Sequence, residues 1–156
     1  MQRSFRESGA IVQYIGEISE TLLPRETKAR WRAIQWTYAA LNSVELGFQN
    51  LALIDLFYTD QEWAKLRRPG AEEFAVNKLR RISEWLGDKE WLEERFTIGD
   101  LVMVTVLRLL RHTKLVELHP NVRDYLDRGQ ARPAFQRALA DHLAPFALNQ
   151  PQGEAA

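Results

Sequence analysis

Apolar residues recur at three- and four-residue intervals along most of the chain, which is the spacing of amphipathic helices rather than of strands. The first such stretch covers residues 7–19 and places Ile11, Ile15 and Ile18 on one face. The second covers residues 25–58 without a proline, and as one helix it would be about 50 Å long. The pattern therefore predicts an all-α fold, a helical bundle.

The stretch Phe96–Leu101 predicts the start of the central helix. Thr97 is followed three residues later by Asp100, the spacing of a capping box in which each side chain accepts from the other's backbone N–H. Phe96 and Leu101, on either side of the box, are spaced for a hydrophobic staple. The helix that follows, to about residue 112, is apolar nearly all round, which is typical of a helix buried among others. Its apolar run is much shorter than the roughly 20 residues of a membrane span.

Proline and glycine predict where the next helix begins and ends. We expect Lys65–Gly70 to be a break in the chain, because Pro and Gly together punctuate helices. A third helix would follow the break and end at Gly87, a residue suited to the position after a helix. Its apolar spacing predicts that Phe74 and Trp85 face the core.

Two further helices complete the predicted bundle. They would open at Pro120 and Pro133, because the missing N–H of proline is harmless in the first turn of a helix. The first would stop at Gly129, and the second would bury Leu143. Residues 149–156 are polar and rich in Gln, Pro and Gly, so we expect a disordered tail.

Composition narrows the classes of function. Lys+Arg and Asp+Glu both number 21 among the 156 residues, and the zero net charge gives no electrostatic case for binding nucleic acid or an anionic membrane. The absence of cysteine excludes a disulfide, a thiolate nucleophile and a cysteine-ligated metal. The 3 histidines are scattered without the spacing of metal ligands. Because we see no signal peptide, we expect a soluble cytoplasmic protein without a metal.

A family becomes visible in the order of several motifs. In chain order they are Glu7-Ser8-Gly9-Ala10-Ile11, Ala40-Leu41-Asn42-Ser43-Val44-Glu45, Phe96-Thr97-Ile98-Gly99-Asp100, His119-Pro120-Asn121-Val122 and Arg132-Pro133-Ala134-Phe135-Gln136-Arg137-Ala138. This order, over residues 7–143, resembles the glutathione S-transferase superfamily, particularly its bacterial members. The capping box and the closing Arg-Pro-Ala-Phe are its specific parts, whereas the Glu-Ser pair alone would be weak.

The resemblance implies a two-domain architecture in which a thioredoxin-like domain precedes an all-α domain. Residues 1–23 look like the last helix and linker of the first domain, residues 24–148 like the all-α domain, and residues 149–156 like a tail. We therefore expect an N-terminally truncated member of the family. The strand-turn-helix with the activating Ser, Tyr or Cys would lie upstream of Met1, so the chain alone should be inactive.

The resemblance also implies a role in glutathione chemistry. The N-terminus of a helix supplies free N–H groups and a positive dipole end to a carboxylate, and the matching family motif binds the γ-glutamyl group at Ser8. Glu7 would orient the ammonium group of glutathione. The structural alternative is that Ser8, or Ser4, only caps its helix. No catalytic residue is named, because that residue would lie upstream.

A pocket for a small hydrophobic electrophile would lie near the first turns of the long helix and the end of the central helix. Trp31, Trp36, Tyr38 and His112 are the candidates for its walls. Core packing is the alternative for the two tryptophans. For His112 the alternative is a favourable position at the negative end of the central helix.

The sequence leaves other functions open. The family resemblance implies a homodimer paired through residues 25–58 and 71–86, with detoxification by conjugation as the activity. Reduction, isomerisation and dehalogenation with glutathione as co-substrate cannot be separated from conjugation. A non-catalytic helical interaction or regulatory module is the alternative class, with Ile11, Ile15 and Ile18 as its docking face.

Overall fold

The computed structural model describes residues 6–149, apart from the side chain of Ala147. Every regular element in this part of the chain is helical, so the predicted all-α class is confirmed. In order, the helices are α1 (Ser8–Glu17), α2 (Thr27–Tyr38), α3 (Leu46–Phe57), α4 (Glu62–Leu86), α5 (Ile98–Leu107), α6 (Pro120–Gln130) and α7 (Pro133–Leu148). Short 3₁₀ turns at Arg108–Leu110 and Val116–Leu118 lie between α5 and α6. Residues 150–156 of the predicted tail lie outside the described residues.

The predicted long helix is present, but its middle is wound differently. A π-helical segment, Ala39–Glu45, joins α2 to α3 without a loop. The helix starts at Thr27, where the Glu26 carboxylate accepts from the N–H groups of Lys28 (2.9 Å) and Ala29 (2.7 Å). These two hydrogen bonds, that of Ala29 first, lower the pKa of Glu26.

The predicted break at Lys65–Gly70 is wrong, because α4 runs through it from Glu62 to Leu86. Packing against α3 outweighs the lost proline N–H: Ala64 and Ala71, on either side of Pro69, are buried in the core. Arg68 strengthens the same contact, since its guanidinium bonds to Asp55 of α3 (Nε to Oδ1, 2.7 Å) and to Glu72 one turn further along α4.

Helix α5 lies at the centre of the bundle, as its all-round apolar sequence predicted. Met103 and Leu107 are completely buried, and the helix packs on the long helix and on α6. Gly129 does not stop α6 but lies buried inside its last turn, where a Cβ would be 2.4 Å from Cγ2 of Val104. The glycine therefore allows α6 to approach α5 closely.

Some residues predicted to face the core are exposed. Phe74 and Trp85 of α4 have 44% and 39% of their surface accessible, and Leu143 of α7 has 52%. The apolar stripe of each helix is narrower than the sequence pattern suggested, with Ala75 and Leu79 of α4 taking the innermost positions. Several apolar side chains of α3 and α4 are exposed, and we call this set the α3–α4 patch: Leu46, Leu53, Leu56, Phe57, Trp63, Leu66 and Phe74.

Helix α1 packs on the bundle by a different side from the one that carries its isoleucines. Gly16 is buried against Ile98 and Leu23, and Val12 contacts the core. Ile15 and Ile18 are 43% and 73% exposed, so a large part of these isoleucine side chains is accessible within residues 6–149. No helix of the described chain is long and apolar enough to cross a membrane.

Candidate functional site

The start of α1 is exposed within the part of the chain that the structure describes. Glu7 is the residue before the helix, and no side chain caps the first turn. Its backbone is in a strained region (φ 68°, ψ 116°), the only non-glycine positive φ among residues 6–149. Ser8 is the first residue of the helix and is exposed, so the alternative that its hydroxyl caps the helix is not what the structure has. Ser4 lies outside the described residues.

The same end of α1 lies against the long helix. A Cβ on Gly9 would be 2.8 Å from Cδ1 of Leu41, so a larger residue there would require the end of the leucine side chain to shift. Leu41 belongs to the π-helical segment, and such segments are frequent at functional sites. No sequence pattern predicted this segment. The first turn of α1 and the irregular turn of the long helix thus form one junction.

The four residues predicted for the electrophile pocket have different surroundings. Trp31 and Tyr38 are exposed, with 63% and 52% of their surface accessible. Trp36 is partly buried beside Trp85 (ring centroids 5.1 Å apart) and donates its indole N–H to Glu93 (2.9 Å). These contacts are those of a packing residue.

His112 lies apart from these aromatic residues, at the far end of α5. Its Nε2 is 3.2 Å from Oδ2 of Asp55, and its Nδ1 is 3.1 Å from the carbonyl oxygen of Leu109. Asp55 also holds Arg68, so this cluster ties α3, α4 and the end of α5 together. Sequence reasoning missed it, because no local pattern shows which carboxylate a histidine of another helix meets.

The capping box at the start of α5 is present as predicted. Oδ2 of Asp100 accepts from the N–H of Thr97 (2.8 Å), and the Thr97 hydroxyl accepts from the N–H of Gly99 (3.2 Å). Oδ1 of Asp100 accepts from the N–H of Leu92 (2.9 Å) and from the Tyr125 hydroxyl (3.1 Å). The box therefore also fixes the segment before α5 and helix α6.

Burial is the main cause of the raised pKa values of Asp100 and Tyr125. Loss of solvent raises the pKa of Asp100, more than its hydrogen bonds to Leu92, Thr97 and Tyr125 lower it. The pKa of Tyr125 is raised well above its usual value, first by burial and then by the nearby Asp100. All hydrogen-bonding groups of the Asp100 side chain are satisfied, which is the arrangement of a structural rather than a reactive carboxylate.

The described part of the chain contains no group of three or more His, Asp or Glu side chains placed to hold a metal ion. The open donors near the junction of α1 and the long helix are backbone N–H groups and the Ser8 hydroxyl. Such donors suit a carboxylate.

The comparisons with known proteins concern the fold of the chain. Neither a protein-family model nor a curated protein matches the chain. Solved structures do match. A glutathione transferase from Pseudomonas putida, with one glutathione disulfide bound per subunit, is 26% identical with a TM-score of 0.79. That match covers 86% of this chain and 61% of the other.

Two further structures match similarly. A glutathione transferase family member from Pseudomonas fluorescens, with two glutathione bound, is 29% identical over 85% of this chain and 62% of the other, with a TM-score of 0.78. A glutathione transferase from Burkholderia graminis, with two glutathione molecules bound per subunit, is 26% identical over 96% of this chain and 62% of the other (TM-score 0.77). The chain thus spans less than two thirds of the length of these proteins. The chain is similar to the helical domain of these glutathione transferases, and the resemblance that its motifs indicated is confirmed.

Proposed function

We propose that this chain supplies the helical domain of a glutathione transferase that transfers the thiolate of glutathione to small hydrophobic electrophiles. The observation that carries the proposal is the exposed, uncapped start of α1 at Ser8, in a chain whose structural relatives hold glutathione. In this proposal residues 1–23 complete a thioredoxin-like domain, and residues 24–148 form the domain that contacts the electrophile.

The start of α1 suits the γ-glutamyl end of glutathione. The carboxylate would accept from the free N–H groups of the first turn and from the Ser8 hydroxyl, at the positive end of the helix dipole. The Glu7 carboxylate would pair with the ammonium group on the same carbon. The strained Glu7 backbone supports this role, because a strained residue at an exposed helix start points to a constraint other than folding.

The catalytic step needs a group outside these residues. In glutathione transfer the thiolate attacks the electrophile, and hydrogen bonds to sulfur lower the thiol pKa so that the thiolate forms. We place that donor in the thioredoxin-like domain and assign no catalytic residue here. Trp31 and Tyr38, which are exposed, remain the proposed walls of the electrophile pocket. The contacts of Trp36 with Trp85 and Glu93, and the position of His112 at the far end of α5, favour their structural alternatives instead.

We further propose that the protein pairs with a second copy through the long helix and α4. The α3–α4 patch supports this, since clustered exposed apolar side chains on a soluble helical domain mark association surfaces. Phe57 and Leu66 are 72% and 76% exposed and would be covered by the partner.

A fusion tests the enzymatic proposal. The chain alone should give no conjugation of glutathione with 1-chloro-2,4-dinitrobenzene. Residues 7–156 placed behind the thioredoxin-like domain of the Pseudomonas fluorescens transferase should restore turnover. In that fusion Ser8→Ala should raise KM for glutathione about tenfold, the effect of about 1.4 kcal/mol of lost binding. Thr27→Ala, the same position on the capped helix α2, should leave KM unchanged. Robust turnover by the chain alone would contradict our placement of the catalytic group.

A non-catalytic interaction module is the second candidate, and the exposed face of Ile11, Ile15 and Ile18 favours it. This face would then bind a partner that supplies a sheet. A purified partner whose binding is lost on Ile15→Asp, together with an inactive fusion, would support the module. A well-behaved monomer in which Ile15→Asp changes no association would count against it.

A further inference from the structure

A cleft at the end of α5 is separate from the start of α1. It has a volume of about 230 Å³ and lies between the end of α5, the 3₁₀ turn Val116–Leu118 and α6. Its lining residues all fall within residues 107–130, and none of them is assigned to glutathione or to the electrophile. At the other end of α5 the linker carbonyl of Leu22 accepts from the N–H of Ile98, about 15 Å away along the 10-residue helix. The cleft is therefore built by one continuous segment of the chain, away from the linker.

Three arginines surround this cleft. Arg108 and Arg111 follow α5, and Arg123 belongs to α6. Among the described lining residues only Glu117 is acidic; its carboxylate is 4.0 Å from the Arg123 guanidinium, which also donates to Asp127 (2.8 Å). Within residues 6–149 no carboxylate or carbonyl group pairs with the guanidinium of Arg108 or Arg111. Two positive charges of the cleft therefore have no counter-charge in this part of the chain.

The helix dipole explains only part of this arrangement. Cations are favoured near the C-terminus of a helix, which accounts for Arg108 and Arg111 after α5. Arg123 lies near the start of α6, the positive end of that helix, where the dipole does not favour a cation. The Arg108 guanidinium lies 5.1 Å from the ring centroid of Phe135, a contact that occupies its face and leaves the N–H groups at its edge available.

The inside of the cleft suits a small ligand. Leu107, Leu110 and Leu126, which line it, are buried, and the half-buried side chain of Gln130 adds an amide group. Buried apolar walls strengthen the attraction between the arginines and an anion, because they keep water away from it. The volume is below the roughly 300 Å³ at which sites for drug-sized molecules begin, so a compact anion fits better than an extended one.

We propose that this cleft binds the phosphate group of a small molecule. A phosphate monoester carries nearly two negative charges at neutral pH, which match the two arginine charges without a counter-charge. The planar guanidinium groups of Arg108 and Arg111 donate parallel N–H groups to the phosphate oxygens. Arg123 adds a third positive charge, and Glu117 opposes the binding of an anion.

Nuclear magnetic resonance of the ¹⁵N-labelled 156-residue chain tests the proposal, at constant ionic strength and about pH 8, where phosphate esters are doubly charged. The ligands are inorganic phosphate, phenyl phosphate and benzenesulfonate, which has the same ring but a single charge. Arg111→Gln removes one positive charge from the cleft, and Arg81→Gln is its control, an exposed arginine of α4. Glu117→Gln removes the opposing charge, and Asp124→Asn, an exposed position of α6 outside the lining, is its control. Thermal unfolding establishes that each variant is folded.

We expect phenyl phosphate to shift the amide signals of residues 107–117 to saturation, and benzenesulfonate to bind at least about tenfold more weakly. Arg111→Gln should weaken the binding of phenyl phosphate by more than about fivefold, and Glu117→Gln should strengthen it by about threefold. Both controls should leave it unchanged. Tighter binding of phenyl phosphate than of inorganic phosphate would assign the cleft to a phosphate ester, and equal binding would assign it to the free anion.

Three results would overturn the proposal. The first is the absence of saturable shifts at residues 107–117 with either phosphate compound. The second is equal binding of phenyl phosphate and benzenesulfonate. The third is a control variant that changes the affinity as much as its partner in the cleft does, because the effect would then come from the net charge of the chain.

Discussion

The hydroxyl of Tyr125 donates to Oδ1 of Asp100 over 3.1 Å, and both side chains are completely buried. The same oxygen accepts from the N–H of Leu92, while the other oxygen caps α5 through Thr97. One carboxylate thus joins the start of the central helix, the preceding segment and α6. Its loss should affect the whole bundle rather than one helix end.

Replacing Asp100 with Ala should lower the free energy of unfolding by about 3 kcal/mol, because a cap is lost and buried N–H groups are left without acceptors. Urea unfolding followed by tryptophan fluorescence measures this. Asp124→Ala, which removes an exposed carboxylate of α6, is the control and should change the free energy by less than about 0.5 kcal/mol. An equally small effect of Asp100→Ala would refute the organising role of the box.

The raised pKa of Asp100 predicts how this contribution depends on pH. The folded chain holds the proton to a higher pH than the unfolded chain, whose aspartate titrates near 3.9. Between these two pKa values the folded state binds more protons, so the free energy of unfolding falls as pH rises. The difference in that free energy between the native chain and Asp100→Asn should therefore be largest below the unfolded pKa. It should decrease as pH rises through the folded pKa, and an increase over that range would contradict the raised pKa.

Replacing Gly129 or Gly70 with alanine should change the free energy of unfolding in opposite directions. At Gly129 a Cβ would lie 2.4 Å from Cγ2 of Val104, and the stiff β-branched side chain of valine cannot move away easily. Gly129→Ala should therefore lower the free energy of unfolding by about 1–3 kcal/mol. At Gly70, inside α4, a Cβ would meet nothing within 4 Å. Gly70→Ala should stabilise the chain by about 0.5–1 kcal/mol. Thermal unfolding of both variants checks the pair, and a stabilising Gly129→Ala would argue against the close approach of α5 and α6.

The sequence predicted those parts of the fold that depend on neighbouring residues. The box of Thr97 and Asp100 and the prolines opening α6 and α7 are local, so spacing alone indicated them. The prediction failed at Pro69, where contacts of the flanking alanines with another helix outweigh helix propensity. In the candidate site, the position of Ser8 at the start of a helix was predictable from its motif. Its proximity to Leu41 was not, because that contact joins residues far apart in the chain.

The proposed pairing of two copies depends on the α3–α4 patch. Phe57→Glu should weaken self-association by more than about tenfold, because a charge would be buried in an apolar interface without a partner. Sedimentation velocity over a range of concentrations measures this. Leu118→Glu, at another largely exposed position outside the patch, should leave the association unchanged. A native chain that is monomeric at all concentrations would remove the support for the dimer.

The binding of glutathione at the start of α1 is tested most directly by nuclear magnetic resonance. Glutathione is titrated into the ¹⁵N-labelled chain, and cysteinylglycine, which lacks the γ-glutamyl group, serves as the matched ligand. We expect glutathione to shift the amide signals of Ser8, Gly9 and Ala10, with the shifts reduced in Ser8→Ala and absent with cysteinylglycine. Unchanged signals at these three amides with excess glutathione, or equal shifts with cysteinylglycine, would contradict a γ-glutamyl site at this helix start.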